Sequence, residues 1–162
     1  MIKPALPLVF ASLCLAASEP GILTPQPSPK PRINGARLYG ARPGHPFLYR
    51  IPASGERPMS FAVKSLPKGL ALDARAGIIS GTTPAKGAYA VVLRASNRRG
   101  TAQRAFTIVA GETLALTPPM GYSTWYHCYT KVSDALVRAE ADAMISSGLA
   151  DHGYSYVNID DG

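Results

Sequence analysis

The chain has 162 residues, 46 % hydrophobic and 17 % charged, which is enough apolar material for a core and argues against global disorder. Its length suits one ordinary domain, or a small domain plus part of another, and excludes a complete (β/α)8 barrel, which needs about 250 residues. The formal net charge is +7, and fifteen glycines with fifteen prolines favour strands and turns over a helical bundle.

Residues 1–18 read as a secretory signal. Lys3 precedes a short apolar run, Ala5 to Leu15, that ends in Ala16 and Ala17, with cleavage expected near Ala17 or Ser18. Leu13 before Cys14 argues against a lipoprotein signal. Cys14 leaves with the signal, so Cys128 is the sole thiol of the mature chain and no internal disulfide forms. The expected destination is the periplasm or the exterior. No apolar run is long enough for a spanning helix. Residues 19–31 hold Pro20, Pro25, Pro27, Pro29 and Pro31 and predict an extended linker.

The charge is unevenly placed. From Lys30 to Gly111 there are fourteen Lys and Arg against Glu56 and Asp73; from Glu112 onward there are Lys131 and Arg138 against seven acids. That shift places a domain boundary near Gly111. The basic residues are spread along the segment and no aromatic platform interleaves with them, so a solvated arginine-rich surface is expected rather than a nucleic-acid site.

Residues 32–111 predict a small all-β domain. Phe47–Ile51 is a short strand, and Ser60–Leu66 alternates with Phe61 and Val63 on one face. Leu70–Leu72 and Ile78–Ile79 flank the turn Asp73–Gly77. Tyr89–Ala95 and Ala102–Val109 flank Asn97–Gly100 as a hairpin. Strands recurring every ten or so residues with Gly and Pro between them suggest an antiparallel sandwich. His45 stands alone in a turn and is not expected to bind metal. The run Leu66-Pro67-Lys68-Gly69-Leu70-Ala71-Leu72-Asp73, followed by Gly77-Ile78-Ile79-Ser80-Gly81-Thr82-Thr83-Pro84, resembles bacterial Ig-like domains of the cadherin-like type. That resemblance names a fold and leaves the reaction open.

Residues 112–162 change character. A strand before Trp125, a helix capped by Ser133 with an apolar stripe of Leu136, Val137, Ala141, Met144 and Ile145, and a strand over Tyr154–Asp160 make one βαβ unit. Trp125 and the Asp160–Asp161 pair fall at the carboxyl ends of its strands, where barrel enzymes place their sites. An indole face can stack on a sugar ring, and paired carboxylates can accept bonds from adjacent hydroxyls.

The segments Thr117-Pro118-Pro119-Met120-Gly121-Tyr122-Ser123-Thr124-Trp125, Ala141-Asp142-Ala143-Met144 and Tyr156-Val157-Asn158-Ile159-Asp160-Asp161-Gly162 resemble the start of glycoside hydrolase family 27, which contains α-galactosidases and α-N-acetylgalactosaminidases. Tyr122 stands where the family usually has Trp, and Thr124 where it has Asn. The resemblance implies an Ig-like sandwich followed by the first βαβ unit of a truncated (β/α)8 barrel. Trp125, Asp160 and Asp161 would bind an α-galactoside, with no cofactor, no metal and no nucleic-acid partner. Retaining glycosidases need two carboxyls about 5–5.5 Å apart. In this family both are aspartates on later strands, so the chain alone is expected to be inactive. One βαβ unit leaves its strand flanks unpaired and its helix partly uncovered, so the last segment is expected to be loosely held. The alternative is a non-catalytic secreted module that binds carbohydrate or a cell surface through the Ig-like domain.

Overall fold

The computed structural model describes residues 27–160. The expected signal, most of the proline linker and Asp161 lie outside the described residues.

The first strand, β1 (Arg32–Ile33), pairs with β4 (Ala53–Ser54). Between them run β2 (Leu38–Ala41) and β3 (Pro46–Arg50). Then follow β5 (Ser60–Lys64), β6 (Leu70–Asp73), β7 (Ile78–Thr82), β8 (Gly87–Asn97) and β9 (Gly100–Ala110). A four-stranded sheet in the order β2-β9-β8-β5 faces a three-stranded sheet in the order β3-β7-β6. One core joins them: Phe47 and Ile79 from the smaller sheet, Phe61, Val91, Leu93, Phe106 and Ile108 from the larger. Alternation produces it, because every second residue of a strand points to the same face. In β8 the inward residues are Val91, Leu93 and Ala95, and in β9 they are Phe106, Ile108 and Ala110. Tyr39, Phe47, Tyr49 and Phe106 continue the core as a chain of ring contacts with centroids 4.7–5.5 Å apart.

The β8–β9 hairpin and the β6–β7 pair lie where the alternation puts them. The turn between β6 and β7 is organised by Asp73, whose Oδ1 accepts bonds from the backbone N–H of Arg75 and Ala76 at 2.8 and 2.9 Å. Those bonds hold its carboxyl below the usual range. Gly69 takes φ +93° in the Pro67–Leu70 turn. Gly81 lies within β7 at φ +137°, and a Cβ there would meet the Gly69 carbonyl oxygen at 2.1 Å.

The sheet is not purely antiparallel: β2 runs parallel to β9. Nor is the arginine-rich segment a uniformly solvated surface. Arg104 donates to the carbonyls of Ile33 and Gly35 at 2.9 and 2.6 Å, and Arg98 and Arg99 both bind the Glu56 carboxylate.

Beyond β9, Leu114–Leu116 forms no strand. The strand starts after Pro118-Pro119, which offer no N–H to a ladder, as β10 (Gly121–Ser123). A single helical turn, α1 (Trp125–Cys128), the helix α2 (Asp134–Ser146), a 3₁₀ turn (Leu149–His152) and β11 (Tyr156–Asn158) follow. β10 and β11 pair in parallel, so the segment is a βαβ unit. As expected, the Ser133 side chain caps α2 by accepting from the Leu136 N–H. Met144 is buried, while Ile145 on the same stripe stays exposed. No described helix is long and apolar enough to cross a membrane.

Candidate functional site

β10 and β11 approach closely because Gly121 faces Tyr156: a Cβ on Gly121 would stand 2.0 Å from the Tyr156 carbonyl oxygen. The Met120-Gly121 step therefore has a local cause, and it brings the carboxyl ends of both strands side by side. There Thr124, fully buried, joins them twice. Its N–H donates to the Asn158 carbonyl at 3.1 Å, and its Oγ1 accepts from the Asp160 N–H at 3.2 Å. Ser123 adds a third tie, its Oγ donating to Asp160 Oδ2 at 3.1 Å.

The structure thus brings Asp160 against Ser123 and Thr124 at the end of β10. Trp125 opens α1 half-buried, with the Tyr129 ring edge-on at 5.6 Å. Tyr126 projects into solvent, and Cys128 is buried and unpaired. Asp161 lies outside the described residues. Sequence reading missed the parts of Ser123 and Thr124. The sequence shows Thr124 only as a departure from the family pattern; its contact with the neighbouring strand end comes from the fold.

The Tyr122 hydroxyl is buried, with the Cys128 thiol as its polar neighbour. Burial raises its pKa first, and Glu140 and Cys128 add to the shift. Among the described residues no cluster of three or more His, Cys, Asp or Glu is arranged to hold a metal ion. What the arrangement fixes is a carboxylate at the strand ends, Asp160, held through its backbone N–H by Thr124 and through its side chain by Ser123.

The architecture is an Ig-like β-sandwich followed by a βαβ unit whose strand ends carry an aromatic and an acidic residue. The chain belongs to the family described as "Putative Ig domain", whose model matches residues 30–111. Over 48 residues it is 52 % identical to the α-galactosidase of Coffea arabica, covering 30 % of this chain and 13 % of that one. A solved chain from Bacteroides fragilis described as a "putative alpha-galactosidase" superposes with a TM-score of 0.79 at 44 % identity, covering 86 % of this chain and 30 % of that one. A second from the same organism, a "putative alpha-galactosidase/melibiase", gives 0.78 at 45 %, with 83 % and 29 % covered. The chain therefore spans about an eighth of the length of the coffee enzyme and under a third of the solved chains.

Proposed function

We propose that this chain is the Ig-like and leading barrel portion of a secreted glycoside hydrolase that removes terminal α-linked galactose. The carrying observation is the pair of hydrogen bonds, to Ser123 and to Thr124, that holds Asp160 at the end of β10, where Trp125 follows next along the chain. The identity shared with α-galactosidases supports the same reading. In it the βαβ unit is the first of a (β/α)8 barrel, and the strand ends form the sugar-facing pole.

Trp125 stacks on the apolar face of the sugar, as aromatic rings do with flat apolar surfaces. Asp160 and Asp161 accept hydrogen bonds from neighbouring hydroxyls, and a charged acceptor makes such bonds about twice as strong as a neutral one. These residues bind and orient; they do not cleave. Adjacent residues at one strand end point apart, so Asp160 and Asp161 cannot supply the facing pair of carboxyls that a retaining mechanism requires. By this reading the 162-residue polypeptide alone turns over no substrate.

The test is a chimera in which residues 114–162 replace the aligned stretch of the coffee enzyme, assayed on an aryl α-galactoside. Activity is expected, and Asp160→Asn in the chimera should lower kcat/KM roughly ten- to hundredfold, the worth of a hydrogen bond to a charged group. A folded chimera without activity, or one indifferent to Asp160→Asn, refutes the reading.

A further inference from the structure

We infer that the Ig-like domain is a docking base for the βαβ unit, and that Asp151 is the anchor through which it holds β11 in place. The inference does not depend on the sugar-site reading, because Asp151 precedes β11 and Asp160 follows it.

The anchor is built from both parts of the chain. Arg50 Nη2, at the end of β3, donates to Asp151 Oδ1 at 2.7 Å. Arg57 Nη2 pairs with Asp151 Oδ2 at 2.9 Å. Each carboxylate oxygen thus has its own guanidinium, and the Asp151 side chain is only 26 % exposed. The Asp151 carbonyl is held as well, accepting from Asn34 Nδ2 at 2.9 Å. The neighbouring backbones then touch. Gly35 and Gly153 both take positive φ, +74° and +104°, and a Cβ on Gly153 would stand 2.9 Å from the Gly35 Cα. Arg104 fixes Gly35 from the other side through its carbonyl.

These contacts matter because the junction beside them is partly open. A cleft of about 440 Å3 separates Tyr39 and Tyr49 of the sandwich from Pro119, Met120, Tyr154 and Tyr156. Apolar packing therefore leaves much of the holding to the polar anchor. A two-stranded sheet is marginal by itself, and β10–β11 is such a sheet. From Asp151 the chain reaches β11 within five residues, so fixing the 3₁₀ turn also fixes the start of the strand. Asp151→Asn leaves one neutral oxygen where two charged ones met the guanidiniums of Arg50 and Arg57, and Arg50 already has its Nη1 buried without a partner. The Bacteroides fragilis superposition supports the arrangement, since a single fit over 86 % of the chain must include both parts.

The test is amide exchange on the full chain, comparing β10–β11 with the β8–β9 hairpin. Contrary to the sequence-based expectation of a loosely held last segment, the unaltered chain is expected to protect the strand amides within Tyr156–Asn158. Asp151→Asn should accelerate their exchange about tenfold or more, because exchange reads local opening separately from global unfolding. Arg57→Gln should act in the same direction by less, since Arg50 remains. The hairpin should keep its protection in both variants. Arg138→Ala, which breaks only the exposed pair with Asp134 on α2, should change neither region. Unprotected β11 amides in the unaltered chain, unchanged exchange in Asp151→Asn, or equal loss of protection in the hairpin would each overturn the inference.

Discussion

Gly81→Ala tests whether the Ig-like motif has been explained by its actual cause. The position has two separable demands. Its φ of +137° is one that side-chain-bearing residues rarely adopt, and an added Cβ would stand 2.1 Å from the Gly69 carbonyl oxygen and 3.1 Å from Leu70 Cα. The backbone demand alone is worth about 1–3 kcal/mol. The contact is with backbone on a paired strand, so relief requires β6 and β7 to move apart, which adds about 1–3 kcal/mol on the scale of overpacking. Together they remove roughly 2–6 kcal/mol from a domain whose whole stability is expected to be about 5–15 kcal/mol.

The control is Gly44→Ala. Its φ is +74°, and nothing lies within 4 Å of the added Cβ, so only the backbone demand applies. Trp125 is the sole tryptophan and lies outside the sandwich, so its fluorescence would follow the wrong part of the chain. Urea denaturation is better read by far-ultraviolet circular dichroism with amide exchange of β8 and β9. For a domain of this size each kcal/mol lowers Tm by roughly 4–8 °C. Gly81→Ala should therefore melt at least about 4–8 °C below Gly44→Ala, the lower end of the overpacking cost on that scale. Equal stability of the two variants would refute the close-approach explanation and leave only the backbone angle.

Two further outcomes follow from the same sandwich. Glu56 is held by Arg98 and Arg99, and their hydrogen bonds bring its carboxyl from 4.5 down to about 2. A depressed acid stabilises the fold above its unfolded pKa, and that contribution fades as pH falls through its folded value. Glu56→Gln should thus be less stable than the parent at neutral pH, and the difference should shrink between pH 4.5 and about 2; a pH-independent difference in paired urea titrations would contradict it. Phe106→Ala empties a buried position shared with Tyr49 and should cost about 3–5 kcal/mol in urea denaturation, whereas a loss under 1 kcal/mol would mean the two sheets do not share one core.

The parts legible in the sequence are those whose pattern is local. β8 and β9 alternate over eleven residues each, and their partner strand is reached by one tight turn. β6 and β7 carry the Asp73 turn and the glycines that the chain's geometry demands. β1, β2 and β4 escaped notice because they are two to four residues long and pair with strands far away in sequence. In β2, Gly40 reads as a strand breaker, but it is there because the Leu114 carbonyl passes 2.5 Å from where a Cβ would stand. At the strand ends, Trp125 and Asp160 were visible through residue type and position. Thr124 was not, because its role is a hydrogen bond to a residue 36 positions away.

The charge asymmetry gains a different meaning from the structure. Read from composition, a basic front and an acidic rear mark a boundary, and boundaries usually imply a flexible joint. Here some of the opposite charges meet. Arg50 and Arg57 converge on Asp151, and Arg42 approaches Glu112 at 3.8 Å. The two contacts differ in weight. The Arg42–Glu112 pair is exposed on both sides, with side chains 55 % and 84 % accessible, and such pairs contribute about 0–1 kcal/mol. The Asp151 group is half-buried, shared between two guanidiniums and backed by a backbone bond from Asn34. It is therefore the contact that can decide how the segments sit. Composition could show that the segments are complementary, but only the fold shows that the complementarity is concentrated on one carboxylate. The sandwich meets the βαβ unit at the turn leading into β11, the end opposite Asp160, and so it can support the strand without covering its far end.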